Sequence, residues 1–121
     1  MLRPTIQACA VLTVVVPLLG GCSNESRNAE RPPAPPLRQQ LGRGEELFKQ
    51  YCSSCHPDGG NVSDPERSLR GSALRSHHIT RPRDIVRIMR TPISRMISFD
   101  VATLSDNDAT AIADYVLYTF K

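Results

Sequence analysis

The sequence predicts an all-α domain, because the apolar residues in the C-terminal two thirds of the chain recur at helical spacing and none alternate as in a strand. Capping residues and prolines divide this region into three helices. The chain contains no tryptophan, three phenylalanines and three tyrosines, so its apolar core is thin. Because a domain of this size gains little stability from burial alone, we expect a bound group to form part of the core.

The first helix is predicted from about Leu41 or Gly44 to Cys52. Pairs of its side chains share a face at a spacing of four residues, Leu47 with Tyr51 and Phe48 with Cys52. This helix therefore leads directly into the cysteine-rich segment that follows it.

The middle helix is predicted to begin near Thr80, whose side chain can cap its N-terminus, and to end at Pro92. A proline and an acid in its first turn precede an apolar stripe, in the order Pro82, Asp84, Ile85, Ile88 and Met89.

The last helix is predicted to start at Ser105, with Asp108 completing an S-x-x-D capping box. Its buried face is predicted to contain Ala109, Ile112, Ala113, Val116, Leu117 and Phe120.

The segment Cys52-Ser53-Ser54-Cys55-His56 has the C-x-x-C-H pattern of covalent haem attachment. Thiols three residues apart lie on about the same side of a helical turn, so each can form a thioether to one vinyl group of the same macrocycle. The adjacent imidazole can then ligate the iron. C-x-x-C pairs also occur in zinc sites and in thioredoxin-like redox pairs, which are the alternatives to a single haem c.

The N-terminus has the pattern of an export signal, with Arg3 followed by an apolar run from residue 8 to residue 19. This run is shorter than the about 20 apolar residues that span a bilayer, so we predict a signal peptide over residues 1–21. The sequence Leu-Gly-Gly-Cys at residues 19–22 resembles the lipobox of bacterial lipoproteins, which implies that Cys22 is diacylated and faces the periplasm. Ser23 replaces the aspartate that commonly retains lipoproteins in the inner membrane, which favours the outer membrane.

Residues 22–36 are polar and then proline-rich, and we predict that they form a flexible tether between the lipid and a small folded domain at residues 37–121. Each of the four cysteines is then accounted for. Cys9 leaves with the signal peptide, Cys22 takes lipid, and Cys52 and Cys55 take haem, so that none remains for a disulfide.

The domain resembles the small monohaem c-type cytochromes of class I through the Cys52 to His56 motif, a downstream Met96 and a capped C-terminal helix. The resemblance implies a helical fold wrapped around one covalently bound haem. It also implies that the first and last helices cross at a contact between a glycine and an aromatic residue. The candidates are Gly44 or Phe48 on the first helix and Ala113, Tyr115, Val116 or Tyr118 on the last.

Met96 is predicted to be the distal iron ligand, because it lies in a loop between two helices that can fold over the distal face. Arg95 and Ile97 flank it, in place of the glycine and proline that are common in the family. The alternatives to Met96 are Met89, His77 and His78. Met89 is less favoured because a methionine in an apolar helical stripe is more often part of a core. The two histidines are less favoured because histidines in a polar stretch are more often exposed.

The predicted domain carries 12 lysines and arginines against 10 acids, but their distribution is uneven. Between residues 67 and 95 there is one acid, Asp84, against the eight arginines 67, 70, 75, 81, 83, 87, 90 and 95. We predict that this surface steers an acidic redox partner; the alternative is a solvated face with one or two arginines on haem propionates. An exported chain with so few aromatic residues is not expected to bind nucleic acid.

These observations predict a one-electron carrier between membrane or periplasmic redox proteins, not an enzyme, with no small-molecule substrate. Histidine and methionine ligation fills both axial positions of the iron and leaves no open site. One alternative is a haem-based ligand sensor or haem enzyme subunit in which Met96 is readily displaced. A second is a zinc-stabilised interaction module that uses Cys52, Cys55, His56 and one of His77 or His78.

Overall fold

The computed structural model describes residues 35–121. The predicted signal peptide, the lipobox at Cys22 and most of the predicted tether lie outside these residues. The described part contains four α-helices and two single 3-10 turns, and no strand, which agrees with the predicted all-α fold. None of its helices is long and apolar enough to cross a membrane.

Helix α1 extends over Leu37–Tyr51 and begins earlier than the predicted start at Leu41 or Gly44. Its start directly follows Pro36, and Leu37 to Leu41 are good helix formers. Leu37 and Leu41 are the two apolar residues of this stretch, and two are too few to define a helical period. Leu47 and Phe48 are both buried, in agreement with the predicted face.

Helix α4, Asp106–Thr119, crosses α1, and these two helices form the main packing interface of the fold. Gly44 lies at the crossing, where a Cβ atom would collide with the carbonyl group of Ala111 and lie 2.8 Å from Tyr115 Cβ. One turn further along α1, the ring of Phe48 lies 5.4 Å from that of Tyr115. The expected glycine and aromatic contact is therefore present, with Ala111 as an unpredicted member; Tyr118 is 56% exposed.

Polar side chains join α1 and α4 along the edge of this interface. Arg43 donates to the carboxylate of Asp108 at 2.9 and 3.3 Å, and Gln40 donates to the carboxylate of Asp114. The hydrogen bond from Arg43 lowers the pKa of Asp108, whereas burial raises the pKa of Asp114. Ser105 caps α4 by accepting from the Asp108 N–H at 3.2 Å, as predicted. The other half of the predicted capping box is wrong, because the Asp108 carboxylate accepts from Arg43 instead of from the Ser105 N–H.

Helix α2, Gly71–Ser76, was not predicted, because six residues with a single large apolar side chain, Leu74, show no helical period. Helix α3, Pro82–Arg90, ends before Pro92 as predicted.

The predicted N-cap of α3 at Thr80 is wrong, since the cap residue is Arg81. The carboxylate of Asp84 accepts from the backbone N–H groups of Arg81 and Thr80, at 3.0 and 3.3 Å, so the hydroxyl of Thr80 is not needed. Burial on its own would raise the pKa of Asp84, but these N–H groups and the Arg81 guanidinium together lower it.

Candidate functional site

The two cysteines of the C-x-x-C-H segment lie in a turn that continues directly from α1. The N–H of Cys52 donates to the Phe48 carbonyl at 2.9 Å, and the N–H of His56 donates to the Cys52 carbonyl at 2.8 Å. Cys52 is buried while Cys55 is exposed, and both line the same cavity. The end of α1 therefore places both thiols and the imidazole at one wall of that cavity.

The orientation of His56 is fixed by the glycine-rich turn that follows it. His56 is buried, and its Nδ1 lies 2.8 Å from the carbonyl oxygen of Gly60, which can only accept a hydrogen bond. Nδ1 is therefore the protonated nitrogen, and Nε2 carries the lone pair available to a metal. This hydrogen-bond partner was missed by the sequence interpretation.

Gly59 gives the same turn its shape. Its φ of +74° is in the left-handed region, and a Cβ atom there would lie 2.6 Å from the ring of Phe120. The turn therefore packs against the C-terminal end of the fold while Gly60 holds His56.

Two adjoining cavities of about 570 and 310 Å³ share Cys52, His56 and Met96 in their walls. The smaller cavity is mainly apolar, and its wall includes Phe48, Leu69, Leu74, Ile79, Ile85, Ile88, Met89, Ile112 and Val116. The larger cavity adds polar side chains such as Asp64 and Arg95. This combination fits a large planar macrocycle with an apolar body and a charged edge, because cofactor sites are apolar clefts with a few placed polar groups.

The candidates for the distal ligand occupy different environments. Met96 is partly buried and lines both cavities, together with Cys52 and His56. Met89 is only 2% exposed and belongs to the apolar core, where it also lines the smaller cavity. His77 and His78 are exposed, although His77 contributes to the wall of the smaller cavity. Met96 is the candidate that adjoins both the thiols and the apolar interior.

The thiols do not have the properties of a reactive redox pair. Burial, and then the neighbouring Cys55, raise the pKa of Cys52 to about 11, whereas thioredoxin-like pairs depend on a lowered pKa. Within residues 35–121, the two cysteines form no disulfide. In the same residues no three His, Cys, Asp or Glu side chains converge as a metal site.

The eight arginines predicted to form one basic surface divide into two groups. Three of them are engaged by acids: Arg67 with Asp64, Arg81 with Asp84 and Arg90 with Asp106. The other five form no ion pair within the described part of the chain: Arg70, Arg75, Arg83, Arg87 and Arg95. Of these five, Arg87 and Arg95 line the cavities described above.

A small helical domain around a cleft that joins two thiols, an imidazole and a thioether defines the class of small c-type haem proteins. Residues 39–116 match the protein family described as cytochrome c oxidase, cbb3-type, subunit III. The chain belongs to this cytochrome c family. It carries a single covalently bound haem c, and its activity is that of a small electron-transfer cytochrome.

Relatives of known identity support the assignment. Cytochrome c6 of Cyanidium caldarium is 36% identical over 77 residues, which are 64% of this chain and 69% of that protein. The solved structure of OmcF, outer membrane cytochrome F of Geobacter sulfurreducens, is 36% identical with a TM-score of 0.62, covering 64% of this chain and 99% of OmcF. Cytochrome c6 of the diatom Phaeodactylum tricornutum is 31% identical with a TM-score of 0.60, covering 64% and 91% of the two chains.

Proposed function

We propose that this chain is a lipid-anchored monohaem cytochrome that passes single electrons between membrane or periplasmic redox proteins. In this proposal Cys52 and Cys55 form the two thioethers, His56 is the proximal iron ligand and Met96 is the distal ligand. The observation that carries it is that these four side chains line one cavity of about 570 Å³.

The structure supports His56 as the proximal ligand, and the redox chemistry of haem supports Met96 as the distal ligand. The hydrogen bond from His56 Nδ1 to Gly60 fixes the ring and increases the basicity of the nitrogen left for the metal. Bound haem supplies reversible one-electron redox chemistry. A thioether ligand opposite a histidine raises its reduction potential. The apolar wall of the smaller cavity provides a low-polarity surface for the body of the haem. With both axial positions filled, the protein has no place for a substrate, which supports a carrier rather than an enzyme.

A ligand sensor or haem enzyme subunit is the second candidate, because residues 92–97 form no hydrogen bond within the described part of the chain. A loop without internal hydrogen bonds could move and release Met96, which would open the iron to a small molecule. The two candidates differ in the resting state of the iron, which spectroscopy reports directly.

The test is to replace Met96 with alanine in the holoprotein and record the far-red charge-transfer band of thioether-ligated ferric haem c. We expect the band in the wild type, its complete loss in Met96→Ala, and its persistence in the matched control His77→Ala. Carbon monoxide should bind readily to reduced Met96→Ala and poorly to the reduced wild type. A wild type without the band, or a band that survives in Met96→Ala, would show that another residue is the distal ligand.

The proposed docking surface for a redox partner contains Arg83, Arg87 and Arg95. All three are exposed, form no ion pair within residues 35–121, and two of them line the haem cleft. A partner with an acidic surface would be attracted to this side of the molecule and would approach the haem edge.

The proposed location is the periplasmic face of a bacterial membrane, with Cys22 as the lipid attachment point. The lipobox-like sequence before Cys22 and the apolar run that precedes it support this location. One similar protein, OmcF, is described as an outer membrane cytochrome, which favours the outer membrane for this chain too.

A further inference from the structure

We propose that Arg90 is a positioning residue that holds the Met96 loop closed and thereby sets how easily the distal ligand is displaced. The proposal rests on the ligation by Met96 proposed above. It is carried by hydrogen bonds that join the end of α3 to the chain that follows Met96.

The loop that contains Met96 is held only at its two ends. Residues 92–97 form no hydrogen bond within the described part of the chain, and Ile93 and Ile97 are 75% and 67% exposed. Of Ile93, Met96 and Ile97, only Met96 packs against the core, so packing contributes little to closing this loop apart from the proposed ligand itself. The position of Met96 depends on where the chain is fixed before and after it.

Arg90 joins the two ends of the loop, because it directly precedes the loop and binds the segment that follows it. It is the last residue of α3, and its carbonyl oxygen accepts from Ser98 Oγ at 2.9 Å. Its Nη1 donates to the carbonyl oxygens of Phe99 and Asp100, at 2.9 and 3.0 Å. Its Nη2 lies 2.7 Å from the carboxylate of Asp106, at the start of α4.

The low exposure of Arg90 and the packing of Phe99 strengthen these hydrogen bonds. The side chain of Arg90 is only 20% exposed, so its hydrogen bonds are partly shielded from water. The N–H of Phe99 donates to the Met89 carbonyl at 2.9 Å, which adds a main-chain bond at the same place. Phe99 is buried and packs edge-on against Tyr51, with ring centroids 5.9 Å apart. The segment after Met96 is therefore clamped between α3, α1 and α4.

No other arginine of α3 has this role. Arg83 and Arg87 are exposed and donate no side-chain hydrogen bond among residues 35–121. Arg83 also lies away from the walls of the two haem cavities, so it provides a matched control on the same helix.

Removal of the clamp shifts the loop toward an open state in which Met96 has left the iron. A competing ligand binds only to that open fraction, so its apparent affinity measures the fraction directly. Imidazole is a suitable probe, because it is small and binds ferric haem where a thioether has left.

The experiment titrates the ferric holoprotein, as the full chain, with imidazole for the wild type, Arg90→Ala, Asp106→Asn and Arg83→Ala. The apparent Kd should fall about tenfold or more in Arg90→Ala, which loses three charge-assisted hydrogen bonds. Asp106→Asn, which removes only the ion pair, should shift the Kd in the same direction by less. Arg83→Ala should match the wild type. Hydrogen exchange at the Phe99 amide should accelerate most in Arg90→Ala, less in Asp106→Asn and not at all in Arg83→Ala.

The outcomes separate this proposal from the one on which it rests. If the wild type shows the thioether band but Arg90→Ala and Arg83→Ala bind imidazole equally, the role of Arg90 is wrong while Met96 ligation stands. If the wild type lacks the band, the ligand assignment fails and the proposal fails with it. Should Arg90→Ala not fold, an unchanged Kd in Asp106→Asn overturns the proposal.

Discussion

Gly44 lies at the point where the backbone of α1 meets that of α4. A Cβ atom there would collide with the Ala111 carbonyl group and press on Tyr115. Because the main obstacle is backbone, the collision can be relieved only by moving the two helices apart. The same helix contains Gly42, which has no atom within 4 Å of the position that a Cβ would occupy.

We therefore expect opposite effects from the same substitution at two positions of α1. Gly44→Ala should lower the free energy of unfolding by about 1–3 kcal/mol through overpacking. Gly42→Ala should raise it by about 0.5–1 kcal/mol, because alanine loses less backbone entropy in a helix. Denaturant unfolding of the two holoproteins measures both values, and equal effects would contradict the helix crossing described here.

Single residues also mark the limit of what the sequence could predict about the site. The C-x-x-C-H motif and Met96 carry their chemistry in local patterns, so the cofactor was predictable. The partner of His56 is a main-chain carbonyl, at Gly60, which leaves no side-chain signal. Arg90 was predicted as part of a basic surface, and only the fold shows that it is enclosed by Phe99, Asp100 and Asp106.

At the scale of elements, helices with caps and clear periodicity were predictable, and short or uncapped ones were not. Helix α4 starts at its predicted cap, Ser105, and buries the alanine and isoleucine face that its spacing indicated. Helix α2 has six residues and lacks a period, so nothing in its composition separates it from a loop. The start of α3 moved by one residue because an acid inside the first turn supplies the cap.

Helix α3 presents Arg83 and Arg87 four residues apart on an exposed face, and Arg87 lines the haem cleft. If this face steers anionic partners, oxidation of the reduced protein by hexacyanoferrate(III) should slow as ionic strength rises. The double variant Arg83→Glu with Arg87→Glu should be slower at low salt and show a weaker or reversed salt dependence.

The control for this measurement is the variant pair Arg38→Glu and Lys49→Glu, which makes the same change in net charge at two exposed positions of α1. Stopped-flow absorbance at several salt concentrations gives the rates. If the two double variants behave alike, net charge rather than the α3 face determines the rate. An unchanged salt dependence in the α3 variant would contradict steering by this face.

For the whole molecule, the apolar core and the cofactor site are continuous. Buried core residues also line the smaller cavity: Phe48, Leu74, Ile85, Met89, Ile112 and Val116. The thin aromatic content of the sequence is explained by this arrangement, since the haem supplies apolar surface that side chains would otherwise have to provide. Loss of haem is therefore expected to loosen the packing of α1, α3 and α4 together.

The proposed membrane attachment is a prediction about the whole chain. Replacing Cys22 with serine should release the holoprotein from the membrane fraction into the soluble periplasmic fraction, because the acyl chains can no longer be added. Haem-stained gels of the separated fractions provide the measurement, and Ser23→Ala is the control. A Cys22→Ser protein that stays with the membrane would show that lipid at this residue is not the anchor.

The interface between α1 and α4 has a consequence for the order of events in folding. Its side-chain hydrogen bonds join residues that are 65 and 74 positions apart in the chain. Contacts between such distant parts of a chain form late, because the entropy of closing the intervening segment opposes them. We therefore expect α4 to dock onto α1 late in folding. Under the proposal that Cys52 and Cys55 carry the haem, both thiols are accessible for attachment before α4 docks.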